Sequence, residues 1–163
     1  MLDAYIQQYG RRLFGLCMTL CANRTEAEDL YQETWLKVLK NLDRYDRNQP
    51  FEPWLTRICV NLYRNGLRRL LRSPIRDPFA TSQEKDAVLE SVRAEEPEDY
   101  SDLHSAIDGL PEKLRVAVIL YYFQEMDIAA VASILHIPPG TVKSRLNKAR
   151  NQLKEVLTRE TDL

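Results

Sequence analysis

The side chains of this chain that are best suited to chemistry do not form a catalytic centre. Tyr45, Asn48 and Phe51 precede Asn61, Arg64, Asn65 and Arg68, the last four at helical spacing. Aromatic faces stack bases, guanidinium groups hold phosphates, and an amide offers both a donor and an acceptor to a base edge. A second group is Thr141, Lys143, Ser144, Arg145, Asn147 and Lys148. From Pro139 to Lys154 there are five basic residues and no acidic one. A solvated helix face usually mixes signs through i,i+4 pairs, so a one-sign face points to an anionic partner. A third group, Asp29, Gln32 and Glu33, forms a polar patch one helical turn long. On periodicity alone that patch is ordinary solvated surface, and Tyr45 and Phe51 simply close a small helical core.

Catalytic and metal chemistry find no support. The chain has no nucleophile–base pairing, no phosphate-binding glycine loop and no metal-ligand spacing, so neither an enzyme nor a cofactor is expected. Cys17 and Cys21 stand one turn apart, but the histidines, His104 and His136, are distant and no second cysteine pair follows. The three cysteines, Cys17, Cys21 and Cys59, are an odd number, which argues against a disulfide framework and for buried apolar thiols. The N-terminal MLDAYIQQYGRR lacks the basic-then-apolar order of a signal peptide, and no apolar run reaches the length of a membrane span. These features predict a cytoplasmic protein that does not insert into membranes.

Charge divides the chain. The net charge of −1 averages over a basic block, residues 1–72, with twelve basic and eight acidic side chains. An acidic tether follows, residues 73–102, with three basic and nine acidic, and then residues 103–163 with eight and seven. In the first block Leu2, Tyr5, Ile6, Tyr9, Leu13, Leu16, Cys17 and Leu20 predict one amphipathic helix. Thr25 and Glu28 read as a capping box opening a second, with Ala27, Leu30, Tyr31, Thr34, Trp35, Val38 and Leu42 inward. Pro53 opens a third, with Trp54, Leu55, Ile58 and Leu62 inward. In the tether Pro74 and Pro78 end that helix, and the acidic composition predicts an irregular segment.

The last block organises the rest. Leu103–Asp108 predicts a short helix. Leu110-Pro111-Glu112 opens another, with Leu114, Ala117, Val118, Tyr121 and Tyr122 inward. Asp127 can cap a helix with Ile128, Val131, Ile134 and Leu135 on its apolar side. Pro139 suits the first position of a final helix, where Val142, Leu146, Ala149, Leu153 and Val156 share one side and Ser144, Asn147, Lys148 and Asn151 the other. This is the pattern of a helix-turn-helix whose second helix enters duplex DNA.

AEDLYQETWLKVLKNLDRYD, then PFEPWLTRICVNLYRNGLRR, then LPEKLRVAVILYYF and a terminal helix-turn-helix ending GTVKSRLNKAR occur in that order. Together they resemble the extracytoplasmic-function (ECF, group 4) class of sigma-70 RNA polymerase sigma factors. The resemblance implies an all-α fold of two small helical domains, region 2 (1–72) and region 4 (103–163), joined by a flexible acidic linker (73–102). It implies that Asp29, Gln32 and Glu33 bind the β′ clamp helices of core polymerase, region 4 meeting the β flap. It implies that Tyr45, Asn48, Phe51, Asn61, Arg64, Asn65 and Arg68 melt the −10 element and capture a flipped base as single-stranded DNA. Unstacking costs a few kcal/mol, and stacking returns about 1–3 kcal/mol per base. Thr141, Lys143, Ser144, Arg145, Asn147 and Lys148 would read the −35 element in duplex promoter DNA, with Thr141, Arg145 and Arg150 on phosphates. An anti-sigma factor is the implied regulator, and the tether would thread the RNA exit path. Two positions depart from the family: His136 stands where relatives carry Gly, and Ala130 where they carry Glu. The competing expectation is a helix-turn-helix regulator independent of polymerase, which leaves the first block unexplained.

Overall fold

The computed structural model describes residues 2–21, 23–72 and 101–161, the side chains of 67–72, 101–102 and 159–161 excepted. The chain divides into two units, Met1–Val88 and Leu89–Leu163. Every regular element among the described residues is helical. The acidic tether lies outside them, apart from residues 101 and 102.

The first unit holds α1 (Leu2–Leu20), α2 (Arg24–Asn41), a 3-10 turn (Leu42–Arg44) and α3 (Phe51–Arg72). The expected stripe on α1 buries Leu13, Leu16, Cys17 and Leu20. At Gly10 the helix runs close to α2: an added Cβ would lie 3.0 Å from the Tyr31 hydroxyl. The capping expectation is corrected by two residues. Asn23, not Thr25, caps α2, its side chain accepting from the Glu26 N–H at 2.9 Å. An Asn side chain satisfies an otherwise orphaned amide as well as a hydroxyl does, so the helix starts a half-turn earlier. On α2, Ala27, Leu30, Thr34, Trp35 and Val38 are buried as expected. The fully buried Thr34 hydroxyl donates to the Leu30 carbonyl at 2.6 Å.

α3 begins at Phe51 rather than Pro53. Proline is tolerated there because first-turn amides have no intrahelical acceptor to lose. Its inner face is also rotated from the expected one. Leu55, Thr56, Cys59 and Val60 are buried, whereas Trp54, Ile58 and Leu62 are half-buried. Small Thr56 and Cys59 permit close crossing, and Cys59 meets Cys17 of α1 with the sulfurs 3.8 Å apart.

The second unit holds α4 (Ser101–Asp108), α5 (Glu112–Val118), a π-helical turn (Ile119–Phe123), α6 (Ile128–Leu135) and α7 (Pro139–Thr161). Every residue from Leu114 to Leu120 is buried, so this stretch fills the core, and α4, α5 and α6 all pack on α7. One of these buried residues is charged. Arg115 is 3% exposed and is held by Glu112 at 2.9 Å and Asp108 at 3.7 Å. Tyr122, expected inside, is 48% exposed. It stands in the π turn, in which the Gln124 N–H donates to the Ile119 carbonyl five residues back at 3.1 Å, and lines an open groove with buried Val118. Val156, also expected inside, is 40% exposed, since the core ends near Leu153.

Candidate nucleic-acid interface

In the first unit the link from α2 to α3 is a closed polar turn. The Tyr45 N–H donates to Leu42 O at 3.2 Å and the Gln49 N–H to Asp46 O at 2.9 Å. The Asp46 carboxylate accepts from the Asn48 N–H at 3.0 Å, and the Tyr45 hydroxyl donates to the Gln49 carbonyl. Asn48 is exposed and Tyr45 half-buried. The Tyr45 ring lies 4.8 Å from Trp54 and edge-on to Phe51 at 5.4 Å. Desolvation, then neighbouring Tyr5, pushes the Tyr45 phenol above its ordinary pKa, so it stays a neutral donor at physiological pH.

Phe51 does not stand with these groups. It is 4% exposed and stacked on Tyr5 at 4.1 Å and 13°, with Tyr9 at 5.1 Å. Its ring has no face left for a base. The expectation that Phe51 stacks a base is corrected: it is the floor of an aromatic cluster whose outer members are Tyr45 and Trp54. Trp54 was expected inside and its half-exposed ring was therefore missed. On α3, Asn61 and Arg64 are half-buried and Asn65 exposed, about two to three turns beyond Trp54. The Arg68 side chain lies outside the described residues.

On α2, Asp29, Gln32 and Glu33 are all exposed on the side away from the core. Two leucines extend the patch: Leu36 is 57% exposed and Leu39 54%. Leu36 follows Gln32 and Glu33 at i+4 and i+3, so it shares their face. Their sequence signal was available, because both fall outside the apolar stripe Ala27–Leu30–Thr34–Val38. Exposed apolar area beside polar groups is the composition of a docking surface.

In the second unit Asp127 caps α6 as expected, accepting from the Ala130 N–H at 2.7 Å. His136 ends α6 in the left-handed region at φ 58, ψ 44. The Ile137 N–H then returns to Ala132 O at 3.1 Å, a Schellman-type closure that usually calls for Gly. Pro139 starts α7, and the Thr141 N–H donates to Pro138 O at 3.0 Å. Val142, Leu146 and Ala149 are at most 1% exposed. Lys143, Ser144, Asn147, Lys148 and Asn151 are exposed, and Thr141 and Arg145 half-buried. Arg150, expected on a phosphate, instead donates through Nε to the Tyr122 hydroxyl at 2.6 Å.

All three cysteines are buried and none is in a disulfide. The hydrogen bond with Cys59, then burial, pushes the Cys17 thiol far up, as suits a thiol that packs and does not react. No described helix is long and apolar enough to cross a membrane.

Comparison with known proteins places these faces in a lineage. Residues 5–73 match the family model for sigma-70 region 2 and residues 100–153 that for sigma-70 region 4. The chain is 30% identical over 158 residues to the ECF RNA polymerase sigma factor SigW of Bacillus subtilis, covering 91% of this chain and 84% of that one. It is 32% identical to the ECF sigma factor SigE of Mycolicibacterium smegmatis, covering 98% of this chain and 62% of that one. In fold alone it is similar to sigma factor RpoE, solved with the anti-sigma factor NepR of Bartonella quintana. That match has a TM-score of 0.73 and 21% identity over 96% of each chain. CnrH, solved with the cytosolic domain of CnrY, gives 0.70 and 23% over 97% of this chain and 88% of that one. With one sigma-70 region in each unit, and relatives of this identity along nearly its whole length, the chain belongs to the ECF RNA polymerase sigma factors.

Proposed function

We propose that this chain binds core RNA polymerase and directs it to promoters by reading −35 and −10 elements and opening the DNA, as a two-domain, group 4 ECF factor. The observation that carries this reading is the order of parts in one chain. A sigma-70 region 2 precedes a region 4, and each presents an exposed polar face at the expected positions.

In this reading Asp29, Gln32 and Glu33, with Leu36 and Leu39 beside them, meet the β′ clamp helices, and region 4 meets the β flap. Tyr45 and Trp54 give a base the stacking surface and Asn48 reaches its edge, while further along α3 Asn61 and Asn65 meet neighbouring bases and Arg64 and Arg68 hold phosphates. Lys143, Ser144, Asn147 and Lys148 read the major groove, where a bidentate contact discriminates by about 1–3 kcal/mol. Thr141 and Arg145 position the helix on the backbone. The anti-sigma NepR seen with RpoE supports an anti-sigma partner for this chain as well. A cytoplasmic location follows from where core polymerase and promoters are.

The test is reconstitution. Purified chain mixed with core polymerase should co-elute with it and initiate from discrete sites on fragmented genomic DNA. A chain that neither co-elutes nor yields site-specific transcripts is not a sigma factor of this kind.

A further inference from the structure

The recognition helix α7 has one stripe that changes employment along its length. Lys143 and Asn147 lie on it, and so, two turns after Lys143, does Arg150. Lys143 and Asn147 are open to solvent. Arg150 instead borders an apolar groove of roughly 710 Å3, lined by Leu103, Ile107, Val118, Phe123, Leu153 and Leu157 among others. There its Nε donates to the Tyr122 hydroxyl at 2.6 Å, and its guanidinium carbon stands 5.7 Å from the centre of the same ring. One arginine thus grips one tyrosine by a hydrogen bond and a cation–π contact.

The grip sits on an irregular stretch of backbone: Tyr122 lies within the π turn and, with buried Val118, lines the groove that Arg150 borders. Such wide turns break helical regularity and often mark functional positions. The seam of Val142, Leu146 and Ala149 sets how close α7 lies to the core. A smooth apolar seam does little to stop rotation about the helix axis. A roll of about 10° moves a side-chain tip about 6 Å from the axis by about 1 Å, more than a bidentate contact tolerates.

We propose that Tyr122 and Arg150 are positioning residues for −35 recognition: the clamp fixes the roll of α7, and Arg150 neutralises no phosphate. The inference rests on the promoter-reading function proposed above and assigns the two residues a role within it.

The experiment uses reconstituted holoenzyme and a duplex library randomised over the −35 element with the −10 element held constant. Base discrimination is measured for the wild type, Tyr122→Phe, Arg150→Gln and the double variant, and the salt dependence of affinity on the best selected duplex. Arg150→Gln should leave the salt slope unchanged while discrimination falls about fivefold, the lower end of one misplaced bidentate contact. Tyr122→Phe, which keeps the ring, should shift discrimination in the same direction. The double variant should be no worse than Arg150→Gln alone, since both break one contact. A loss of about 0.9 in the slope for Arg150→Gln would make it a phosphate contact and overturn the proposal. Unaltered discrimination in both single variants would overturn it too. A wild-type holoenzyme with no −35 preference would defeat the underlying reading itself, a result distinct from either.

Discussion

At the scale of single residues, type and role part company most clearly at Phe51. Its aromatic ring suits a base, but stacking on Tyr5 occupies it. Tyr45 and Phe51 therefore make opposite predictions. Phe51→Ala should destabilise the protein by about 3–5 kcal/mol, the usual range for truncating a buried aromatic, as measured by urea denaturation. Tyr45→Ala should cost much less stability and should reduce permanganate-reactive open complex while duplex binding persists. If Tyr45→Ala unfolds the protein as readily as Phe51→Ala does, Tyr45 belongs to the core and is no base platform. His136 shows the other side of residue-scale reasoning. A non-Gly residue at φ 58 is strained, yet His is among the types that tolerate this region, so the left-handed cap forms without glycine.

At the scale of elements, α5 is the most informative. From Leu114 onward it is buried, yet it carries Arg115 among Leu114, Val116 and Ala117. The charge is admissible because Glu112 and Asp108 converge on it, and their own side chains keep 40% and 23% of their exposure. Removing both acids with Asp108→Ala/Glu112→Ala takes two carboxylates from a buried cation and should lower stability by about 3 kcal/mol. Arg115→Met should cost less, because both carboxylates can turn to water. Thermal or urea melts that rank the two variants the other way would show that Arg115 contributes by packing and not through its charge partners. The same element runs into the π turn that presents Tyr122, so core packing and the set of the recognition helix share one stretch of chain.

At the scale of the whole molecule the question is division of labour. The patch proposed to meet polymerase and the face proposed to read the −35 element belong to different units, and an overall charge of −1 hides both. Gln32→Ala/Glu33→Ala should weaken co-elution with core polymerase at least tenfold, about 1.4 kcal/mol. Holoenzyme that still forms at high concentration should keep the wild-type −35 preference. A changed preference would mean that the two faces are not independent. Leu36 and Leu39 belong to the same test, because exposed leucines without a partner would favour aggregation of free chain.

Most elements could be read from the chain itself, and so could the surfaces of α7 and α2. Apolar residues at helical spacing must face a core whatever the core's details, and a run of basic side chains must face away from it. The helix-turn-helix, the Asp127 cap and the exposed Ser144–Lys148 face follow from that alone. What the chain could not reveal depends on a third body. Phe51 could be read as core or as a base platform, and α1 decides for the core by supplying Tyr5 and Tyr9 to cover it. Asn23 caps α2 because several polar residues compete near that terminus and only local backbone geometry selects among them. Tyr122 meets Arg150 because α7 packs across the stretch that carries it, which the periodicity of either helix alone does not show. Sequence thus determined which sides are wet and which are dry. Tertiary structure decided which of the chemically able side chains remain free to act.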